Sequence, residues 1–93
     1  MIKRNKPTKN GTVKLTFALP ADEPSGSVSV VGDFNDWQPG VHELVPGADG
    51  RRTATVTVPA GATVHFRYLA DGGFWFDDEY ADAHDERGSL VSV

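Results

Sequence analysis

Histidine is the residue type in this chain best suited to acid–base or metal chemistry, and its spacing fits no common catalytic arrangement. His42, His65 and His84 fall in a loop, on an exposed strand face and in an acidic segment. No pair has the i, i+4 spacing that places two imidazoles on one helix face. The chain has no cysteine, which removes disulfides, thiolate zinc sites and thiol nucleophiles. A serine–histidine pair brought together by folding is the alternative that the sequence leaves open.

Carboxylates offer two further candidates for chemistry. Asp33 and Asp36 flank Phe34-Asn35 and resemble the paired carboxylates of a glycosidase. Aspartates at a strand exit more often bond nearby backbone groups, and we favour that structural role. The acidic segment 77–82 has oxygens for calcium, but it lacks the glycine and spacing of an EF-hand. We predict a solvated acidic loop there. Because neither the histidines nor the carboxylates form a recognisable catalytic or metal-binding arrangement, we predict no enzyme, no metal and no cofactor.

The aromatic residues are more informative, because several of them sit beside turns instead of in strand centres. Such residues either cap the end of a core or offer a flat face to a ligand. Sugar rings stack their apolar C–H faces on indole, while neighbouring polar side chains bond the hydroxyls. Arg67 precedes the turn at 71–73, and alternation along its strand directs it away from the core. Trp75 follows the turn, and we consider that it faces the same side of the sheet as Arg67. The turn-flanking aromatics are Phe34, Trp37, Phe74, Trp75 and Phe76.

Alternating apolar and polar residues predict the strands that must position these side chains. Glycine- and proline-rich turns separate the runs 12–19, 27–32, 51–58, 63–70, 74–76 and 88–93. The segment 80–86 is considered as a turn of helix. This pattern predicts an all-β, immunoglobulin-like antiparallel sandwich of about 6–8 short strands. Alternation assigns ten residues to its core: Val13, Leu15, Phe17, Val28, Val30, Val56, Val58, Val64, Phe66 and Tyr68.

Length and charge limit the classes of function. The 93 residues predict one domain, divided into a flexible basic arm at 1–11 and a sandwich at 12–93. The formal net charge is −4, so the basic arm is weak evidence for a nucleic-acid or membrane partner, and we expect neither. No apolar run is long enough for a membrane span or a secretory signal, and the expected compartment is the cytoplasm.

Two ordered motifs resemble the family 48 carbohydrate-binding modules, also called isoamylase N-terminal-like or early-set domains. The stretch 30–37 resembles the family's GxFNxW signature, and 66–75 resembles its Y-K/R-F-x-V-D-G-x-W block. The resemblance covers about Thr12 to Val93. It extends to the glycogen-binding domain of the β subunits of AMP-activated protein kinase, and it implies an early-set sandwich associated with starch or glycogen.

The resemblance also implies a sugar-binding site of four residues. Trp37 matches the first stacking tryptophan, Arg67 replaces a lysine, and Trp75 corresponds to the second tryptophan, with Phe74 as its alternative by one register position. Ser89 stands in for a closing threonine. The asparagine that follows in the family, its inserted leucine and the enzymes' GGxN ending have no counterpart here.

Two functions of different class follow from these features. The leading one is a non-catalytic module that binds α-1,4-glucan, such as glycogen, starch or maltooligosaccharide, weakly. The alternative is a structural or protein-interaction module that associates with a glycogen-metabolising enzyme and binds no sugar.

Overall fold

Runs of alternating apolar residues bring two antiparallel β-sheets together around one hydrophobic core. The computed structural model describes residues 2–22, 24–47 and 49–93. The strands in those ranges are β1 Ile2–Arg4, β2 Thr12–Pro20, β3 Val28–Gly32, β4 Val45–Pro46, β5 Arg51–Pro59, β6 Thr63–Ala70, β7 Phe74–Phe76, β8 Ala83–Asp85 and β9 Gly88–Ser92. The first sheet has the order β1-β2-β5-β4. The second has the order β3-β6-β9-β8, with β7 also paired to β6.

The predicted all-β sandwich is confirmed, and the six strands expected from alternation all form. The structure adds three short strands that the pattern missed, namely β1, β4 and β8. Each has only two or three residues, too few to display a period. The segment 80–86, considered as a turn of helix, contains β8 instead.

The core contains all ten residues that alternation assigned to it, and each is buried. Phe17 joins the two sheets, since its ring lies 4.7 Å from that of Phe66 and 6.3 Å from that of Tyr68. Leu44 and Val91 are also buried and pack against this cluster.

A buried hydrogen bond connects the core to the segment after β7. The Tyr68 hydroxyl donates to Asp78 Oδ2 at 2.6 Å, and both side chains are buried. The other oxygen, Oδ1, accepts the backbone N–H of Tyr80 at 2.8 Å. Burial, this hydrogen bond and the negative charge of Asp78 together raise the pKa of Tyr68 far above its usual range.

Part of the segment 1–11, for which we expected a flexible basic arm, pairs with the first sheet; residue 1 lies outside the described residues. Ile2–Arg4 form β1 and pair with β2, with Ile2 opposite Phe17 and partly buried against the core. Arg4 crosses to the second sheet, where its guanidinium donates to Asp82 Oδ2 at 2.6 Å and to the Ser92 carbonyl at 2.7 Å. An edge strand and a cross-sheet contact therefore order residues that the sequence marks only as basic.

We expect the Tyr68→Phe substitution to lower the free energy of unfolding at neutral pH by about 1.5–3 kcal/mol, because it removes a hydrogen bond to a buried carboxylate. The stability of the wild type should also fall as pH rises above about 10, since Tyr68 ionises in the unfolded chain and resists ionisation in the fold. Tyr68→Phe should lose this alkaline component. Urea unfolding between about pH 9 and pH 11 measures it. Tyr80→Phe is the control, because Tyr80 is 68% exposed. Equal alkaline slopes in the wild type and Tyr68→Phe would contradict the assignment.

A second prediction concerns acid. The N–H of Ser92 and the Arg4 guanidinium hold the pKa of Asp82 below its usual range. The stabilisation is therefore present above the unfolded pKa of about 3.9 and is lost as pH falls through the lower folded pKa. Asp82→Asn should cost less than about 1 kcal/mol at neutral pH, given the exposure of the pair, and progressively less as pH falls below about 3.9. Thermal unfolding across this range tests it, with Glu86→Gln as the exposed control. A cost that is independent of pH would overturn the prediction.

Candidate functional site

The outer face of the second sheet carries two of the side chains that the sequence singled out, Arg67 and Trp75. On β6 the even residues 64–70 point into the core, so Arg67 and Leu69 point outward. The register pairs Leu69 with Trp75 of β7 and Arg67 with Val31 of β3. Because directly paired residues project to the same side of a sheet, these four residues share the outer face.

Trp75, and not Phe74, is the β7 aromatic on this face. Trp75 is 44% exposed and pairs with the outward-facing Leu69. Phe74 pairs with the inward-facing Ala70 and stacks on Phe76, with 5.6 Å between ring centroids. Of the two aromatics, Trp75 is therefore the one that projects to the same face as Arg67.

Gly32 allows the β3 end to approach β6 closely. A Cβ on Gly32 would overlap the carbonyl oxygen of His65 and lie 3.0 Å from Cβ of Phe66. The backbone φ of Gly32 is extended, so any residue could adopt its conformation and only space requires glycine. The glycine of the GxFNxW stretch therefore serves strand packing.

The next residues of this stretch hold the loop on the sheet. Asn35 Oδ1 accepts the N–H of Gly32 at 3.0 Å, and its Nδ2 donates to the Val30 carbonyl at 3.0 Å. Asp33 Oδ2 accepts the backbone N–H of His65 at 3.0 Å. Phe34 packs against the core beside Phe17. Asp33 has the structural role that we favoured over a catalytic one.

Trp37 lies in a turn of unusual backbone conformation. Asp36 and Trp37 both have positive φ, 54° and 58°, which costs energy for residues with a Cβ. The Trp37 N–H donates to the Gly32 carbonyl at 3.0 Å, which fixes this turn against the end of β3. The side chain is half-buried. Among the described residues no ring contact joins Trp37 to Trp75.

The loop that carries Trp37 and the strand that carries Trp75 meet β6 at different places. Gly32, where the Trp37 loop begins, is opposite Phe66, while Trp75 is opposite Leu69 on the other side of β6. Three residues along the strand and two strand spacings across it separate the backbones of Gly32 and Trp75 by about 14 Å.

Ser89 does not belong to the exposed site, which corrects the expectation that it contacts sugar. It is completely buried, because its partner in the ladder is the core residue Phe66. Its hydroxyl donates to Asp77 Oδ1 at 3.1 Å and accepts the N–H of Asp78 at 3.2 Å. Ser89 therefore organises the acidic segment from the interior.

A charged cluster lies at the N-terminal end of β6. The His65 ring places Nδ1 3.5 Å from Asp33 Oδ2 and Nε2 3.2 Å from Asp85 Oδ2. The N–H of Arg87, and then His65, hold the pKa of Asp85 below its usual range. Arg87 also lies 3.9 Å from Asp33. These contacts connect the loop after β3 to the turn between β8 and β9.

The acidic segment differs from the solvated loop that we predicted, because Asp78 is buried and hydrogen-bonded to Tyr68. No local pattern distinguished it from Asp77 or Glu79. The described residues contain no group of three or more His, Asp or Glu side chains arranged to hold a metal ion. Nor do they include a helix long and apolar enough to cross a membrane.

A separate groove of about 730 Å³ opens away from the Trp75 side of β7. Its apolar lining comes from Leu19, Pro20, Phe76 and Tyr80. Phe76 faces inward from β7, opposite Tyr68. Asp77, which contacts Arg67, also lines this groove, so the groove adjoins the outer face.

Comparison with known proteins adds no assignment: no family model and no curated protein matches this chain.

We expect Gly32→Ala to destabilise the fold by about 2–3 kcal/mol, because the added methyl must displace the β6 backbone. Gly47→Ala is the matched control, since Gly47 also lacks a positive φ and its added Cβ would meet its nearest neighbour, Asp49, at 3.3 Å. Urea unfolding of both variants measures the difference. Equal stability of the two variants would refute the close-approach role of Gly32.

Proposed function

We propose that this chain is a non-catalytic module that binds α-1,4-glucan weakly through the outer face of its second sheet. Trp37 and Trp75 act as stacking platforms, and Arg67 donates hydrogen bonds to sugar hydroxyls. The family 48 resemblance motivates the choice of ligand, and an antiparallel two-sheet fold is the architecture that this resemblance implies.

The observation that carries the proposal is the shared orientation of Arg67 and Trp75. The register directs both to one face, although they lie on different strands. An exposed indole beside a guanidinium supplies the apolar surface and the donors that a sugar ring uses. The strained turn at Asp36 and Trp37 supports the same proposal, because backbone strain concentrates at functional positions.

The expected affinity follows from the shape of this face. An open platform leaves much of a ligand in water, and ordering a flexible oligosaccharide opposes binding. We therefore expect dissociation constants between tens of micromolar and millimolar, on the order of −4 to −6 kcal/mol. Linear oligosaccharides should bind better than glucose, because a chain of several rings can contact both proposed stacking residues at once.

Titration with maltoheptaose, followed by amide shifts in NMR, tests the proposal. Trp37→Ala and Trp75→Ala should each weaken binding about threefold to tenfold, through lost stacking. Phe74→Ala is the matched control, because Phe74 is adjacent to Trp75, 59% exposed and paired with an inward-facing residue. It should bind like the wild type.

Each variant must retain the dispersed amide spectrum of the folded wild type. Folded tryptophan variants that bind normally would show that the platform is elsewhere. A wild type without shifts at millimolar sugar would end the glucan proposal.

The second candidate is a protein-interaction module for a glycogen-metabolising enzyme. Two observations favour it. Ser89, the counterpart of the closing threonine, is buried and unavailable to sugar. The groove beside Tyr80 and Phe76 also offers an apolar surface that the glucan proposal does not use.

A further inference from the structure

Arg67 rests on a surface made by glycine. A Cβ on Gly88 would lie 2.6 Å from Cγ of Arg67 and 2.9 Å from its Nε. The Arg67 side chain therefore lies directly on the backbone of Gly88. The φ of Gly88 is +127°, a conformation that glycine adopts readily and other residues rarely do. Gly88 thus both forms the turn into β9 and leaves room for this side chain.

Asp77 contacts Arg67 from a second side. We call the site that Gly88 and Asp77 form around this side chain the Arg67 cradle. Its Oδ1 lies 3.5 Å from Nε of Arg67, an ion-pair distance. The same oxygen accepts the hydroxyl of Ser89 at 3.1 Å. Since Ser89 is fully buried and also bonded to the N–H of Asp78, the Asp77 carboxylate is anchored from the protein interior.

The cradle restrains one end of the guanidinium and leaves the side chain accessible. Nε of Arg67 is buried and makes no hydrogen bond within the described part of the chain. The side chain as a whole is 34% exposed. An arginine that is already restrained loses less conformational freedom when it binds a ligand, and its planar fork can then address two neighbouring acceptors together.

We propose that Asp77 is a positioning residue that holds Arg67 in its binding orientation, with the buried Ser89 acting on Arg67 through Asp77. The effect of this restraint on sugar affinity rests on the proposed glucan function. The restraint on Arg67 itself does not need a ligand. The preferred ligand chemistry is a pair of adjacent hydroxyl oxygens on a sugar, presented to the fixed guanidinium.

The first measurement needs no ligand. The Nε–Hε signal of Arg67 is assigned in ¹⁵N NMR as the signal that Arg67→Lys removes. In the wild type its heteronuclear NOE should match that of the β6 backbone. Asp77→Asn should lower this NOE markedly and speed exchange of Hε with water. Glu79→Gln, which makes the same charge change at an exposed position in the same segment, should alter neither.

The second measurement uses maltoheptaose. Asp77→Asn should weaken binding about threefold to tenfold, the range expected when one long side chain must be ordered on binding, whereas Glu79→Gln should bind like the wild type. If Asp77→Asn does not fold, Asp77→Glu provides the same test, because it keeps the charge and moves the carboxylate by one methylene.

The outcomes separate the two proposals. An Arg67 Hε signal as ordered in the Asp77 variant as in the wild type overturns the positioning role, whatever the sugar does. Equal loss of affinity in the Asp77 and Glu79 variants also overturns it, since that result is a general effect of charge. A restrained Arg67 in a wild type that binds no maltoheptaose supports the cradle and removes the glucan function.

Discussion

The hydrogen bond between Tyr68 and Asp78 connects the core to the surface on which the function is proposed. A buried carboxylate without partners is costly, so the fold surrounds Asp78 with donors. The Tyr68 hydroxyl donates to one carboxylate oxygen, and the Tyr80 N–H donates to the other. The backbone N–H of Asp78 itself donates to the Ser89 hydroxyl. The segment after β7 cannot move without breaking these contacts. Asp77 is consequently held beside Arg67, so contacts in the interior fix the position of a residue on the outer face.

In the loop after β3, some residues of the sequence motif hold the structure together and one does not. Gly32, Asp33 and Asn35 are occupied by close packing and by hydrogen bonds to backbone groups. These contacts give the three residues a structural role in joining the loop to the sheet. Trp37 is different, because the loop adopts a costly left-handed turn to place it and the residue remains half-buried. Most of a motif that resembles a sugar-binding signature is thus structural, and Trp37 is the residue of this motif that the glucan proposal uses.

The two proposed functions use different surfaces of the same sandwich. The outer face combines indole, guanidinium and a flat sheet, which suits an extended polyhydroxylated chain. The groove beside Tyr80 and Phe76 has a mostly apolar lining. The ladder directs Trp75 to one side of β7 and Phe76 to the other, whereas Asp77 both contacts Arg67 and lines the groove. Substitution of Asp77 therefore alters both surfaces, while Trp75 is not among the residues that line the groove.

The strands with visible alternation, and the residues that they bury, could be predicted from the sequence alone. Val13, Leu15 and Phe17 are buried as their period requires, because a strand directs successive side chains to opposite faces. The outward direction of Arg67 follows from the same local rule. Tertiary structure alone decided which of three acidic neighbours, Asp77, Asp78 and Glu79, enters the core, since the deciding donor is Tyr68 on another strand. It also decided that Ser89 is internal and that Ile2 pairs with Phe17. These outcomes depend on partners distant in the chain, and no local period encodes which edge or donor a residue will meet.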